Sequence, residues 1–251
     1  MKRTILITGA TSGFGEATAK LFAEHGNNLI ITGRREERLQ DLKSELENDN
    51  VSVKTLCFDI QKRDAVAEAI ASLDDAWRNI DVLINNAGLA SGLNTIQEGD
   101  IDDWEKMIDT NVKGLLYLSR AIMPLMIERK TGHIINVGST AGKQVYANGN
   151  VYAATKHAVD AISQAMRIDL LKHGIKVTQI RPGAAETEFS IVRFHGDQVK
   201  AKSVYNGYQP MVAKDIAEVI YYSSTLPAHL CINDLEITSV AQASSYYINR
   251  Q

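Results

Sequence analysis

The chain has 251 residues, 45% of them hydrophobic and 23% charged, with only four prolines, so it carries material for a buried core and does not read as disordered. Its 27 basic and 30 acidic residues leave a net charge of −3, which argues against non-specific nucleic-acid binding, and its two cysteines suit neither a disulfide framework nor a zinc site. No apolar stretch approaches the ~20 residues of a membrane span and the opening run lacks the form of a signal peptide, so a cytoplasmic, metal-free globular protein is expected.

Aliphatic and β-branched runs predict strands over residues 4–8, 28–32, 52–58, 82–85, 133–137, 176–180 and 234–238. Several are apolar at consecutive positions, as in a sheet covered on both faces. Between them, helices are predicted over 16–25, 36–47, 63–73, 104–127 and 151–173, with Leu39, Leu42 and Leu46 forming one apolar face. Gly26 and Gly174 stand just past two of these helices, where a left-handed residue ends a helix. Cys57, in an apolar run, reads as a small core residue. The alternation predicts an α/β fold, a doubly wound parallel sheet of about seven strands with helices on both faces, in a single domain over 1–251. Residues 187–210 have no clear periodicity and are read either as a lid over a site or as a surface excursion.

After the first strand the chain runs Thr8-Gly9-Ala10-Thr11-Ser12-Gly13-Phe14-Gly15 and enters a helix. The glycines permit a tight turn and close approach of backbone N–H groups to a phosphate, and the helix N-terminus adds partial positive charge. Between a first strand and a first helix, this pattern predicts the dinucleotide-binding turn of a Rossmann fold. The second strand leads into Gly33-Arg34-Arg35, where an acidic residue would hold the ribose of NAD. Two guanidinium groups suit a 2′-phosphate instead, so NADP is the expected cofactor; Glu36 or Glu37 on the ribose is the rival assignment. Asp59, ending the third strand, either bonds an adenine amine or caps the next helix. Asn86, Ala87 and Gly88 follow the fourth strand, where small residues admit a cofactor, although Asn85 and Asn86 equally suit a turn.

Tyr152 and Lys156 are four residues apart on a predicted helix and therefore share one face. A lysine in that position is expected to lower the tyrosine from its ordinary pKa of about 10, making Tyr152 a general acid/base at neutral pH. Ser139 follows the fifth strand in Gly138-Ser139-Thr140, at the ligand end of the sheet. It is read either as a partner of the substrate oxygen or as a turn cap, with Thr140 the competing hydroxyl. Asn111 lies inside a long predicted helix, an unfavoured place for asparagine, and is either an exposed polar residue or the holder of a water near Lys156.

Gly9-x-x-x-Gly13-x-Gly15, Asp59, Asn85-Asn86-Ala87-Gly88, Asn111, Ser139, Tyr152-x-x-x-Lys156 and Pro182-Gly183 stand in the order and spacing of the short-chain dehydrogenase/reductase family, which the chain resembles over essentially its whole length. The resemblance implies that Asn111, Ser139, Tyr152 and Lys156 form a catalytic tetrad. It implies that the segment from Pro182 through Gly183 to Thr187 wraps the nicotinamide, with Ile60 and Ala87 near the adenosine half, and that Arg34 and Arg35 mark an NADP-preferring member. A homotetramer is implied as well. Further segments, among them Gly33-Arg34-Arg35-x-Glu37-Arg38-Leu39, Glu188-Phe189-Ser190-x-Val192-Arg193-Phe194 and Thr225-Leu226-Pro227-Ala228-His229, resemble the NADP-dependent 3-hydroxy acid dehydrogenases. Members of that group oxidise serine, L-allo-threonine and related β-hydroxy acids and can reduce malonic semialdehyde.

An acid substrate wants a cation, and the 187–210 segment offers Arg193, His195, Lys200 and Lys202 against Glu188 and Asp197. Arg193 is the candidate carboxylate partner, the two lysines read as solvated charges, and Gln144 is a further candidate for the substrate. The expected reaction interconverts a β-hydroxy acid (serine, L-allo-threonine, 3-hydroxyisobutyrate or 3-hydroxypropionate) with its β-keto acid or semialdehyde. Ser139 and Tyr152 hold the hydroxyl and Tyr152 takes its proton, with Lys156 and a water on Asn111 relaying it outward. A broad NADPH carbonyl reductase and a non-catalytic NADP sensor are the alternatives, and a sensor has no need of Ser139, Tyr152 and Lys156 together. Ala153, Ala154, Ala158, Ala161 and Ala165 either permit close approach of a second copy or pack against the sheet.

Overall fold

The computed structural model describes residues 2–251. Its first half runs β1 (Thr4–Thr8), α1 (Gly13–Glu24), β2 (Asn28–Gly33), α2 (Glu36–Leu46), β3 (Val53–Cys57), α3 (Arg63–Ala71), the short α4 (Asp75–Arg78), β4 (Val82–Asn85), α5 (Ile101–Ile108), a π-helical segment (Asp109–Gly114) and α6 (Leu115–Arg129). The second half runs β5 (His133–Val137), a 3-10 turn (Thr140–Gly142), α7 (Asn150–Leu170), β6 (Lys176–Pro182), β7 (Ala185–Glu186), α8 (Glu188–Arg193), α9 (Gln198–Ser203), β8 (Met211–Val212), α10 (Ala213–Thr225) and β9 (Asp234–Ile237). No described helix is long and apolar enough to cross a membrane.

Seven strands pair in parallel in the order β3-β2-β1-β4-β5-β6-β9. Strand order reverses at β1 and β4, and open α/β sheets bind ligands at such a point, beyond the strands' carboxyl ends. Along β1, Ile5 and Ile7 pack with Phe22, Leu39 and Ile216 on one face, while Leu6 packs with Leu118, Ile122 and Val159 on the other. Both faces are therefore apolar, which is why the strands read as continuous hydrophobic runs. Gly26 and Gly174 take left-handed backbone past their helices, as expected.

The structure departs from the sequence reading at several places. Residues 104–127 are not one helix, because the π segment separates α5 from α6. The helix α10 was not expected. Two of its inward positions, Ser223 and Ser224, are serines that return their hydroxyls to Val219 O and Tyr221 O, which breaks the apolar period. Cys57 is exposed rather than in the core, because it ends β3 and β3 is the edge strand. Residues 187–210 contain two capped helices. Thr187 Oγ1 accepts from Phe189 N at the start of α8, and Asp197 Oδ1 accepts from Val199 N and Lys200 N at the start of α9. The short β7–β8 pair closes the base of this excursion.

Candidate active site

A cavity of about 540 Å³ lies at the carboxyl ends of the central strands, with the 187–210 segment as its opposite wall. Gly9, Thr11, Ser12, Gly13, Phe14, Arg34, Arg35, Asp59, Ile60, Asn86, Ala87, Gly88, Pro182, Gly183 and Thr187 all line it. Ala10 and Gly15 do not. Ala10 is fully buried with its N–H on Thr32 O, and Gly15 packs α1 against the turn, where a Cβ would come 2.3 Å from Gly9 O. Gly9 and Gly13 have φ of +64° and +56°, so the turn depends on backbone that other residues adopt only with strain. The loop after β4 is tied to this turn: Thr8 Oγ1 accepts from the amides of Asn86 and Ala87, and Asn86 Nδ2 donates to Thr8 O at 2.8 Å. Ser12 lends no side-chain cap to α1, which leaves the opening amides of that helix with their donors.

The two arginines after β2 differ. Arg34 is exposed, lines the cavity and makes no side-chain hydrogen bond or ion pair among the described residues. Arg35 donates to Thr11 Oγ1 and Thr11 O and pairs with Glu188 at 3.0 Å. Glu36 does not line the cavity; it accepts from Gln40 along α2. The Asp59 carboxylate accepts from Gln61 N, a local turn, while α3 begins at Lys62 without a side-chain cap.

Tyr152, Lys156 and Ser139 converge on the cavity. The Ser139 side chain caps the 3-10 turn by accepting from Ala141 N at 3.1 Å. The turn-cap reading of this serine is found, and both Ser139 and Thr140 line the cavity. Burial, and next the neighbouring Tyr146, raise the Tyr152 phenol, and the opposing pull of Ser139 and Arg193 is smaller. The expected lowering by Lys156 is not found. The Lys156 ammonium lies 5.9 Å from the ring centroid, donates to Val137 O at 2.9 Å, and is itself pushed down to about 8 by burial.

Asn111 lies in the π segment and is buried, not exposed. Its carboxamide accepts from Leu89 N and donates to Leu89 O and Thr155 Oγ1, and Thr155 in turn donates to Tyr152 O. The π turn thereby fastens the loop after β4 to the helix that carries Tyr152. A Cβ on Gly88 would meet Asn111 Oδ1 at 3.3 Å and Lys156 Nζ at 3.4 Å, so these groups crowd one glycine.

On the wall formed by residues 187–210, the Arg193 guanidinium lies 5.4 Å from the Tyr146 ring and 5.7 Å from the Tyr152 ring. Of the four candidate cations of the 187–210 segment, it alone is on the cavity wall: Lys200 pairs with Asp197 and His195 with Asp103, and neither they nor Lys202 line it. Gln144 is placed elsewhere, its Oε1 accepting from Ser245 N in the C-terminal segment. Among the described residues, no group of three or more His, Cys, Asp or Glu is placed to hold a metal ion.

The profile of the short chain dehydrogenase family matches residues 3–197. The NADP-dependent 3-hydroxy acid dehydrogenase YdfG of Escherichia coli (strain K12) is 50% identical over 240 residues, 95% of this chain and 96% of that protein. The chain belongs to the short chain dehydrogenase family. Sulfoacetaldehyde reductase 2 of Chromohalobacter salexigens, another relative, is 45% identical over 252 residues and the whole of both chains. Among solved structures, the closed form of serine dehydrogenase complexed with NADP+ superposes with a TM-score of 0.92 at 48% identity, covering 99% of this chain and 100% of that one.

In this dehydrogenase several cavity residues escaped the sequence reading as site residues. Phe189 packs edge-on against Tyr152 at 5.6 Å, and Tyr146, Tyr205 and Ile248 complete the wall. Gln242 accepts from Ala184 N and stands where a Cβ on Gly183 would be 2.2 Å away, so the last residues of the chain brace the Pro182–Gly183 loop. The Phe189 position was visible only through the resemblance of its segment. Gln242 carried no periodicity or motif to mark it.

Proposed function

We propose that the protein is an NADP-dependent oxidoreductase that interconverts a β-hydroxy acid with its β-keto acid or semialdehyde, acting as a single domain over 1–251 with 187–210 as its lid. The convergence of Tyr152, Ser139, Lys156 and Arg193 in one cavity, whose far end holds the glycine turn and Arg34, carries the reading. The substrates in the relatives' names support the acid: 3-hydroxy acids, serine and sulfoacetaldehyde all carry an anionic group near the reacting carbon.

The residues fit NADP. A Cβ at Gly9 would come 3.0 Å from Ala87 Cα, so the cradle stays shallow only with glycine, and Arg34 presents an uncommitted guanidinium to the same cleft. The glycine turn, Arg34, Asp59, Ile60, Ala87 and the Pro182–Thr187 segment would hold the cofactor. When bound, its nicotinamide supplies the hydride acceptor or donor. Ser139 and Tyr152 orient the reacting oxygen, and Arg193 pairs with the substrate anion. Tyr152 exchanges the proton of that oxygen, and Lys156 provides the neighbouring positive charge. Because burial holds Tyr152 protonated, it serves directly as the acid for carbonyl reduction, whereas oxidation requires its proton to leave and accelerates as pH rises.

We take the protein to be a cytoplasmic homotetramer. Ala154, Ala161 and Ala165 are exposed and Ala158 half-buried on the outer face of α7, whereas Ala153 alone of the five is buried. That arrangement supports close approach of a second copy.

The test is oxidation of L-serine, L-allo-threonine, 3-hydroxyisobutyrate and a carboxylate-free alcohol, each with NADP and NAD, together with Tyr152→Phe. Turnover confined to NADP and the acids, with Tyr152→Phe lowering kcat by about 10³-fold or more while keeping NADP affinity, supports the reading. Preference for the carboxylate-free alcohol makes the protein a carbonyl reductase. Absence of turnover despite tight NADP binding makes it a sensor.

A further inference from the structure

Glu188 is the first residue of α8, directly after the capping Thr187, whose side chain already lies against the glycine turn at Gly13. Its two carboxylate oxygens go to two arginines on the opposite wall, Oε2 to Arg35 at 3.0 Å and Oε1 to Arg38 at 2.7 Å. Those arginines are not free to swing. Arg35 spends Nε and Nη2 on Thr11 and Nη1 on Glu188, and Arg38 also donates to Thr11 O at 3.3 Å. Thr11, Arg35 and Glu188 line the same cavity, so this chain of contacts crosses from the glycine turn to the lid over the space assigned to the cofactor. All three nitrogens of Arg35 are engaged, whereas Arg34 keeps its full fork.

We propose that Glu188 is a positioning residue that latches the lid to the glycine turn through Arg35 and Arg38, leaving Arg34 as the arginine that reads the 2′-phosphate. This division of labour rests on the NADP reading above. The latch makes the lid's position depend on the Thr11–Arg35 contact rather than on which nicotinamide cofactor is present. Its pairs are half-exposed and hence individually weak, which suits a lid that must open for cofactor exchange.

The experiment compares wild type, Glu188→Gln and Arg34→Ala by hydrogen exchange of residues 187–203 in the cofactor-free protein and by dissociation rates and affinities for NADPH and NADH. For Glu188→Gln, lid exchange should rise about three- to tenfold, and both cofactors should leave faster by a similar factor. Arg34→Ala should weaken NADPH about tenfold or more, leaving NADH affinity and lid exchange as in wild type. Unchanged lid exchange in Glu188→Gln overturns the latch. Selective tightening of NADPH in that variant also overturns it, because the carboxylate would then be competing with the 2′-phosphate. If wild type binds NADPH no better than NADH, the NADP reading and the role of Arg34 fail, while lid exchange in the cofactor-free protein still decides the latch.

Discussion

The two walls of the cleft are held in different ways. The strand-end wall is tied by buried hydrogen bonds: Thr8 gathers the amides of Asn86 and Ala87, and behind it Asn85, Asn136, Ser119 and Ser163 form a buried polar chain joining β4, β5, α6 and α7. The lid wall is held at its surface by side chains, with Glu188 on two arginines at its start and His195 on Asp103 past the end of α8. The buried wall is costly to alter, and on the proposed reading it sets where the chemistry happens. On the proposed reading, the surface-held wall is the one that moves for little free energy and so sets how readily ligands enter and leave.

The largest expected effect falls in the buried sheet behind the strand-end wall, at the amino end of β5. His133 opens β5, the strand that delivers Ser139, and bonds Thr178 Oγ1 at 2.7 Å through Nε2. Burial, with minor repulsion from Lys176 and Arg3, pushes its imidazole down to about 3 from 6.5. The folded protein therefore keeps this histidine neutral while the unfolded chain protonates it below pH 6.5, so stability falls as pH drops from 6.5 towards 3. The full loss from this group is on the order of 4 kcal/mol. Urea unfolding of wild type and His133→Gln between pH 7 and about 4.5 checks it: the variant should show a flatter pH slope, whatever its stability at pH 7. Equal slopes would remove His133 as the cause.

A smaller loss is expected at Gly15→Ala. The added methyl would sit 2.3 Å from Gly9 O and 2.6 Å from Asn86 Nδ2, so α1 must move away from the turn. Allowing for the better helix propensity of alanine, the net cost is about 2–3 kcal/mol, read by urea unfolding, with weakened NADPH affinity in the same variant. If the strand-end wall were as adjustable as the lid, stability and affinity would both survive.

The same contrast explains what the sequence made legible. Strands apolar on both faces, a glycine turn between β1 and α1, and the Tyr152–Lys156 spacing are local patterns, and each is found where it was expected. The rest depends on contacts distant along the chain. Asn111 meets Leu89, which is 22 residues away, and Gln242 meets Ala184 across 58, so neither role is written in its neighbours. Cys57 was misjudged because an apolar run does not reveal which strand lies at the sheet edge. The direction of the Tyr152 pKa was misjudged because four-residue spacing puts Lys156 on the same face without aiming its ammonium at the phenol, and burial then dominates.

The smallest expected effect belongs to the lid's second attachment. Asp103 Oδ1 accepts from Ser91 Oγ at 2.5 Å, and Oδ2 lies 3.1 Å from His195 Nε2. Between them Gly92, at φ +72°, donates to Arg193 O and accepts from Arg193 Nε, and a Cβ there would reach Asp103 Oδ2 at 2.8 Å. Asp103 thus holds the Ser91–Gly92 loop against the lid residue expected to meet the substrate anion, without lining the main cavity itself. Asp103→Asn keeps the shape and removes the charge, so Arg193 should lose orientation rather than presence. The expected result is a rise in KM for the β-hydroxy acid of about two- to fivefold, with kcat close to wild type and a small fall in Tm, since the His195 side of the pair is largely exposed and only the Asp103 side is mostly buried. Arg193→Ala should raise KM much further, and the double variant should add little to it, because Asp103 acts through Arg193. A fall in kcat at unchanged KM would instead place Asp103 with the buried wall, as a support for Tyr152.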